Sequence, residues 1–256
     1  MVELWLVDLE RAGPALHALE ADEPRLSADD RARARRAAGS RDRLDRTTAY
    51  IALRIALERI AGHQTRGVNF KRATAGKPRL GGGQAGFSLS HSDGFALLGV
   101  TRLGEIGVDL ERARSVRISA RRRDLILAAG QGLVDVTPAG GTADPLPQDA
   151  FLQAWVRLEA FAKAHGGGLA RVLTDIGIRG DRSSAATPAR IATAARRLVE
   201  GSNLQVRDLR LPSGLRGALA LASGMPVPRA RAFPTDRSSI AHLLTSRRVY
   251  RGASAG

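Results

Sequence analysis

The sequence predicts an α+β fold of two similar lobes, each a small antiparallel sheet packed on a long helix. A long helical pattern at 41–62 is followed by a β-hairpin at 87–100. A second helical pattern at 149–165 is followed by a strand pair within 204–222. Because the same order of elements occurs twice, we expect a pseudo-twofold arrangement with a site between the lobes.

This arrangement divides the chain into an N-terminal lobe at 1–104, a C-terminal lobe at 105–224 and a mostly unstructured tail at 225–256. With 256 residues and 43% hydrophobic content, the chain has enough material for two lobes. The tail is expected to lack structure because proline, arginine and small residues dominate it.

The predicted elements of the N-terminal lobe are a strand at 2–9, helices at 27–38 and 41–62, and a hairpin at 87–100. Ser27 is a good N-cap for the first helix, and Gly62 ends the second. The hairpin turns at Ser92-Asp93-Gly94, since Asp-Gly favours a tight hairpin turn.

The predicted elements of the C-terminal lobe are a strand at 105–111, helices at 117–129 and 149–165, a loop at 130–148, and strands near 174–179, 191–199, 204–211 and 216–222. Three glycines, Gly166 to Gly168, stop the second helix. A turn at Pro212-Ser213-Gly214 joins the last two strands.

The net charge of +15 predicts an anionic partner, such as a nucleotide, a nucleic acid, an acidic protein or a membrane surface. The alternative is that arginine is simply abundant and spread over solvated faces. A phosphate-facing role is favoured for one cluster: Arg31, Arg33, Arg35, Arg36, Arg41, Arg43 and Arg46. Aromatic residues make up only 4%, which disfavours recognition of single-stranded nucleic acid by stacking.

Several protein classes are disfavoured by what the sequence lacks. The absence of cysteine excludes disulfides and thiolate metal sites and fits a reducing compartment. No stretch approaches the roughly 20 apolar residues of a membrane span. The first residues do not form a signal peptide. We therefore expect a cytoplasmic protein without membrane contact.

Asp109 and Glu111 alternate with apolar residues on a predicted strand, so that both carboxylates project from one face. Such a pair suits Mg²⁺, which is commonly bound by one or two carboxylates together with substrate phosphates. The alternative is a solvated strand end that pairs with Arg112 or Arg114.

Trp155, Glu159 and Lys163 are spaced four residues apart and share one face of the helix predicted at 149–165. The Glu–Lys pair could merely stabilise that helix by roughly 0.3–0.5 kcal/mol. Upstream, Ser90 and His91 end a strand, and Lys77 stands on a loop beside a proline. The single Gly-x-Ser-x-Gly segment, at 252–256, falls in the predicted unstructured tail and not between a predicted strand and helix, which disfavours a serine hydrolase.

Four segments in order resemble the 4′-phosphopantetheinyl transferase family. They are Gly76-Lys77-Pro78, Phe87-Ser88-Leu89-Ser90-His91-Ser92, Gly107-Val108-Asp109-Leu110-Glu111 and Trp155-x-x-x-Glu159-Ala160-x-x-Lys163. The resemblance covers roughly residues 40–222. The chain length and two-lobe layout are similar to the longer, monomeric surfactin-synthetase-activator type.

The resemblance implies that coenzyme A donates its phosphopantetheine arm to a serine of an apo carrier protein, with release of adenosine 3′,5′-bisphosphate. It implies Mg²⁺, or else Mn²⁺, on Asp109, Glu111 and Glu159. Glu159 would also help to deprotonate the serine, and Lys163 would neutralise the diphosphate. The implied residues for the nucleotide end of coenzyme A are Lys77, Ser90, His91, Arg41 and Arg43.

The implied protein partner is an acidic acyl or peptidyl carrier, which the positive charge of the chain would steer. Two other hypotheses stay open: a non-catalytic homologue that binds coenzyme A or a carrier, and a basic nucleic-acid-binding protein. The sequence departs from the family pattern at two positions. Leu158 stands where the family usually has lysine, and Asp93 intervenes before the turn glycine.

Overall fold

The computed structural model describes residues 2–72, 77–83, 85–134, 147–180 and 185–246. Its strands are β1 (Val2–Asp8), β2 (Gly86–Ser92), β3 (Phe95–Thr101), β4 (Ile106–Arg112), β5 (Leu204–Asp208), β6 (Leu215–Ala222) and β7 (Arg231–Ala232). Its helices are α1 (Leu9–Asp22), α2 (Ala28–Arg35), α3 (Ser40–Ala61), α4 (Ala120–Gly132), α5 (Pro147–His165), α6 (Leu169–Asp175), α7 (Pro188–Ser202) and α8 (Arg237–Thr245), with short 3-10 helices at His63–Thr65 and Gly81–Gly83.

The strands form two small sheets. The first sheet has the order β2-β3-β1-β7, in which β3 pairs antiparallel with both β2 and β1, and β7 joins β1 in parallel. The second sheet has the order β4-β6-β5 and is antiparallel throughout. Strands β2 and β4 are therefore edge strands of their sheets.

Side chains that alternate along the strands divide the interior into three cores. The first core holds Trp5 and Val7 of β1 against α1, α3 and α8. The second core holds Ala218 of β6 against α4 to α7. The third core holds Leu4 of β1 and Val108 of β4, so the two sheets pack on each other, with the helices outside.

The α+β class and the two small sheets with long helices are as the sequence predicts, but the first sheet is mixed and not purely antiparallel, because β7 joins β1 in parallel. The pseudo-twofold relation and the lobe boundaries at 1–104 and 105–224 stay predictions. None of the described helices combines the length and the apolar character needed to cross a bilayer.

Two segments predicted as strands do not form strands. The segment 174–179 begins inside α6 and then turns, and the segment 191–199 lies within α7. In α7, Ile191 and Ala195 bury one face against the second core, which is a helical spacing. Thr187 caps this helix and a proline follows it, which is a helix-start signal.

Helix α1 is not among the predicted elements, and the Gly13 and Pro14 within it disfavour helix formation. It forms nonetheless, since Leu9, Ala12 and Leu16 are buried and belong to the first core. Tertiary burial here outweighs local propensity.

The prediction of a mostly unstructured tail at 225–256 is wrong for the described part, which contains β7 and α8. Ile240 and Leu243 of α8 are buried in the first core. Arg59 of α3 donates to the carbonyl oxygens of Leu243 and Ser246, which ties the end of α8 to α3. Residues 247–256 lie outside the described residues, as do 135–146 of the predicted loop.

A buried ion-pair network stabilises the N-terminal half, and Glu58 is its centre. Its side chain is 2% exposed and accepts hydrogen bonds from Arg25 Nε at 2.8 Å and Arg66 Nε at 2.9 Å. Burial raises the pKa of Glu58, but the hydrogen bonds and charges of Arg66 and Arg25 outweigh it, and the pKa is lowered.

Glu58→Gln is expected to lower the free energy of unfolding by about 3 kcal/mol, because the buried Arg25 loses its buried counter-ion and keeps only the exposed Glu23. A lowered carboxyl pKa stabilises the fold above the ordinary glutamate pKa, and this contribution is lost as pH falls through the lowered value. The difference between the two proteins in urea unfolding should therefore shrink in acid. Glu200→Gln, at an exposed position, should change the free energy of unfolding by less than about 0.5 kcal/mol. Equal losses of stability in the two variants would contradict the role of Glu58 as the centre of the buried network.

Candidate active site

Strand β4 lies directly against helix α5, and Gly107 makes this contact possible. A Cβ atom at this position would lie 2.0 Å from the carbonyl oxygen of Ala160 and 2.5 Å from the amide nitrogen of Ala164. Asp109 follows two residues later and projects from the same face. Its Oδ1 atom consequently lies 2.7 Å from Nζ of Lys163.

Three serines of β2 connect the edges of the two sheets. Ser88 Oγ accepts a hydrogen bond from the backbone of β4 at 3.0 Å. Ser90 Oγ donates to Oδ1 of Asp109 at 2.7 Å, and Ser92 Oγ donates to Oε2 of Glu111 at 3.2 Å. Because alternate residues share a strand face, one row of hydroxyls holds both carboxylates of β4.

Glu159 faces these groups from α5 and is half-buried. Burial raises the pKa of Glu159, and the carboxylates of Asp109 and Glu111 raise it further, while Lys163 acts in the opposite direction. The three predicted metal ligands are therefore near enough to repel one another. A group with a raised pKa in a cleft is suited to accept a proton.

Arg114 forms an ion pair with both carboxylate oxygens of Glu111. Its Nη1 atom lies 2.5 Å from Oε2 and its Nη2 atom lies 3.3 Å from Oε1. Arg112 instead pairs with Asp93, at 3.4 Å. A solvated strand end paired with Arg112 or Arg114 is the alternative to a metal site that the sequence leaves open. The structure shows the pair with Arg114, but the strand end is not solvated, since the Glu111 side chain is only 17% exposed.

The donor set fits a hard divalent cation by its chemistry. Asp109, Glu111 and Glu159 supply only carboxylate oxygens, and a cation among them would remove their mutual repulsion. As the side chains stand, no three or more His, Asp or Glu side chains within the described ranges form a group that could hold a metal ion. Lys163 and Arg114 supply the neutralising charge instead.

A cleft of about 380 Å³ opens beside Glu159 and Lys163. Its apolar wall comes from α3, from β2 and from the residues around them, and includes Tyr50, Leu53, Phe70, Phe87 and Leu89. Lys77 and Arg72 add positive charge to the lining. This volume lies within the roughly 300–1,000 Å³ range of small-molecule sites.

The predicted nucleotide-binding residues have separate surroundings. Lys77 lines the cleft, but its Nζ atom pairs with Glu105 at 3.1 Å and donates to a backbone carbonyl. Burial lowers its pKa, and the charge of Glu105 acts in the opposite direction. His91 Nε2 lies 3.4 Å from Oδ1 of Asp42. Gly76 of the same motif lies outside the described residues.

Arg41 and Arg43 stand on the first turn of α3. Arg41 is 59% exposed and pairs with Asp45 at 3.2 Å, and a Cβ atom at Gly94 of the hairpin turn would lie 3.9 Å from it. Arg43 donates to the backbone carbonyl of Ala37 at 3.2 Å. Neither lines the cleft. The structure therefore brings together Asp109, Glu111, Glu159, Lys163 and Ser90. It leaves Arg41 beside the hairpin turn and Arg43 against the backbone that precedes α3.

The two departures from the family pattern have structural reasons. Leu158 is fully buried in the second core and does not line the cleft. Asp93 has a φ of 44° and Gly94 a φ of 82°, so both adopt the positive φ that a type I′ hairpin turn requires. The Asp93 carboxylate is 75% exposed and pairs with Arg112.

Sequence reasoning missed Ser92 and Ser88 as partners of the site, and it named Arg114 only as one of two possible partners of a solvated strand end. A signal for the serines was present, since they alternate along a strand that also carries Ser90. The cleft residues Tyr50 and Phe70 carried no such signal, because each is an ordinary apolar core position in sequence.

Comparisons of the sequence with known proteins indicate one family. The 4′-phosphopantetheinyl transferase HetI of a Nostoc strain is 32% identical over 176 residues, which cover 67% of this chain and 71% of HetI. The Synechocystis protein slr0495, provisionally assigned the same activity, is 29% identical over 185 residues, which cover 68% of this chain and 70% of slr0495. No model of a protein family matches the chain. With this identity and coverage to HetI, the chain belongs to the 4′-phosphopantetheinyl transferase family.

Proposed function

We propose that the protein transfers the 4′-phosphopantetheine arm of coenzyme A to a serine of an apo acyl or peptidyl carrier protein. The observation that carries this proposal is the pairing of Lys163 with Asp109 beside the half-buried Glu159, on the wall of a cleft. A cation and a proton acceptor at one point of a cleft are what phosphoryl transfer to a hydroxyl requires.

In the proposed reaction the serine oxygen of the carrier forms a bond to the phosphorus that carries the pantetheine arm. The bond from that phosphorus to the bridging oxygen of the diphosphate breaks, and adenosine 3′,5′-bisphosphate leaves. Glu159 accepts the serine proton, which its raised pKa favours. Lys163 neutralises the charge that develops on the leaving phosphate.

Two groups of residues would position coenzyme A. The apolar wall of Tyr50, Leu53 and Phe87 suits the uncharged arm, and Lys77 with Arg72 suits an anionic group at the same cleft. We propose that His91, Arg41 and Arg43 contact the nucleotide end. In support, His91 contacts Asp42 at the start of α3, and Arg41 lies close to Gly94 of the hairpin turn.

Asp109, Glu111 and Glu159 would hold Mg²⁺, or Mn²⁺ in its place, against the diphosphate. Bound there, the cation supplies neutralising charge to the transferred phosphoryl group. Ser90 and Ser92 orient two of these carboxylates through their hydroxyl groups, at 2.7 and 3.2 Å.

The carrier protein would be acidic, because a chain of net charge +15 attracts such a partner over long range. The candidate docking surface is the start of α4, with Arg117, Arg121, Arg122 and Arg123. We propose that the chain acts as a monomer of the longer, surfactin-synthetase-activator type.

The test is incubation with coenzyme A, Mg²⁺ and a panel of apo carrier proteins, followed by mass spectrometry of each carrier. We expect at least one carrier to gain the mass of one phosphopantetheine arm and to lose this gain when a chelator removes Mg²⁺. Tight binding of coenzyme A without any mass gain, beside an active control enzyme, would favour a non-catalytic binding protein. A DNA affinity that depends steeply on salt and exceeds the affinity for coenzyme A would favour a nucleic-acid-binding protein.

A further inference from the structure

Both carboxylates of β4 are neutralised by cations of the chain itself. Asp109 is paired with Lys163, which lines the cleft and has a role in the proposed transfer. Glu111 is paired with Arg114, which does not line the cleft and has no role in that transfer. The Glu111–Arg114 pair therefore requires a separate explanation.

The Glu111 carboxylate has little room for another ligand. Its Oε2 atom accepts from Ser92 at 3.2 Å and from Arg114 at 2.5 Å, and its Oε1 atom accepts from Arg114 at 3.3 Å. A guanidinium group across both oxygens occupies the positions that a cation would take. Glu111 cannot join Asp109 and Glu159 around a metal ion until Arg114 moves.

Arg114 is free to move at small cost. Its side chain is 52% exposed, and it follows the last residue of β4 by two positions. It also donates a hydrogen bond at 3.4 Å to the carbonyl oxygen of Arg112, and the charge of Asp93 attracts it. Because about half of the Arg114 side chain is exposed, its guanidinium group can leave Glu111 for water without becoming a buried, unpaired charge.

We propose that Arg114 is an internal counter-ion that competes with the divalent cation for Glu111 and lowers the affinity of the substrate-free protein for metal. The proposal rests on the proposed function, because it concerns the same metal ligands. When Arg114 is displaced, Ser92 keeps the Glu111 carboxylate in place for the incoming ion. Arg114 thus reduces the repulsion between the carboxylates when no metal is bound.

Arg112 provides a matched control. It also stands at the end of β4 and carries the same charge, and it is 50% exposed, but its partner is Asp93 rather than Glu111. Arg114→Gln and Arg112→Gln remove one positive charge each from nearly the same place. Only the first removes a competitor for Glu111.

The experiment is a titration of each full-length protein with Mn²⁺ and no coenzyme A, followed by electron paramagnetic resonance of the free ion. Mn²⁺ serves as the probe because it prefers the same oxygen ligands as Mg²⁺. We expect Arg114→Gln to bind Mn²⁺ about tenfold more tightly than the wild type, and Arg112→Gln to change the affinity by less than about twofold. Urea unfolding of all three proteins, with unchanged midpoints, would show that the fold is intact.

Equal shifts for the two variants, or no shift for Arg114→Gln, would overturn the role of Arg114. If the wild type still loads a carrier protein in that case, the proposed function stands, and only the proposal that Arg114 competes with the metal ion is refuted. If no protein of the set binds Mn²⁺ and none loads a carrier, the metal assignment and the proposed function fail together.

Discussion

Glu159→Gln is expected to slow transfer of the phosphopantetheine arm by about 10²–10⁴-fold, the usual contribution of a general base. The substitution keeps the size of the side chain but removes both its basicity and one of the three proposed metal ligands. The measurement is kcat/KM for loading of an apo carrier protein, followed by mass spectrometry at saturating Mg²⁺.

The same substitution should leave the fold as stable as before, or more stable. Burial and the neighbouring Asp109 carboxylate raise the pKa of Glu159, so its ionised form is unfavourable in the folded protein. For a carboxyl group whose folded pKa is raised, this cost is absent below the ordinary glutamate pKa and grows as pH rises through the raised value. The variant should therefore gain stability over the wild type as the pH rises through that range.

Glu200→Gln is the matched control, because it makes the same chemical change at an exposed position of α7. It should leave both kcat/KM and the unfolding midpoint unchanged. Loss of activity together with gain of stability would separate a functional carboxylate from a structural one. If Glu159→Gln kept activity within about threefold of the wild type, another group would have to accept the proton.

The candidate site was predictable from sequence as far as local periodicity reaches. The two-residue period of β4 places Asp109 and Glu111 on one face and Val108 in the core between the sheets, and the structure has this arrangement. The four-residue spacing of α5 likewise places Glu159 and Lys163 together. These relations follow from backbone geometry alone.

What depends on tertiary contacts was not predictable. Nothing in the sequence decides between Arg112 and Arg114 as the partner of Glu111, because both lie within reach and the hairpin turn at Asp93 takes one of them. Helix α7 is predicted as a strand because the spacing of its apolar residues fits both the helical and the strand period. Only the packing of one face against the second core decides for the helix. Helix α8 was missed because its apolar face is short and surrounded by proline and small residues.

Gly107→Ala is expected to destabilise the protein by at least about 4 kcal/mol, the range in which a single substitution disrupts close packing. The added methyl group would overlap the backbone of α5 at Ala160 and Ala164, where no side chain can rotate away. Either β4 or the helix must move. Gly201→Ala, in α7, has open space around the new methyl group and should be neutral or stabilising by about 1 kcal/mol.

The Gly107→Ala substitution should also disturb the candidate active site, because the contact at Gly107 sets the distance between Asp109 and Lys163. These groups are 2.7 Å apart only while the strand and the helix touch. Any Gly107→Ala protein that remains folded at low temperature should consequently bind Mn²⁺ and coenzyme A more weakly than Gly201→Ala. Urea unfolding and the Mn²⁺ titration measure the two effects separately. If stability fell while both affinities stayed at the wild-type level, the close approach of β4 and α5 would serve the core alone and would not position the two charged groups.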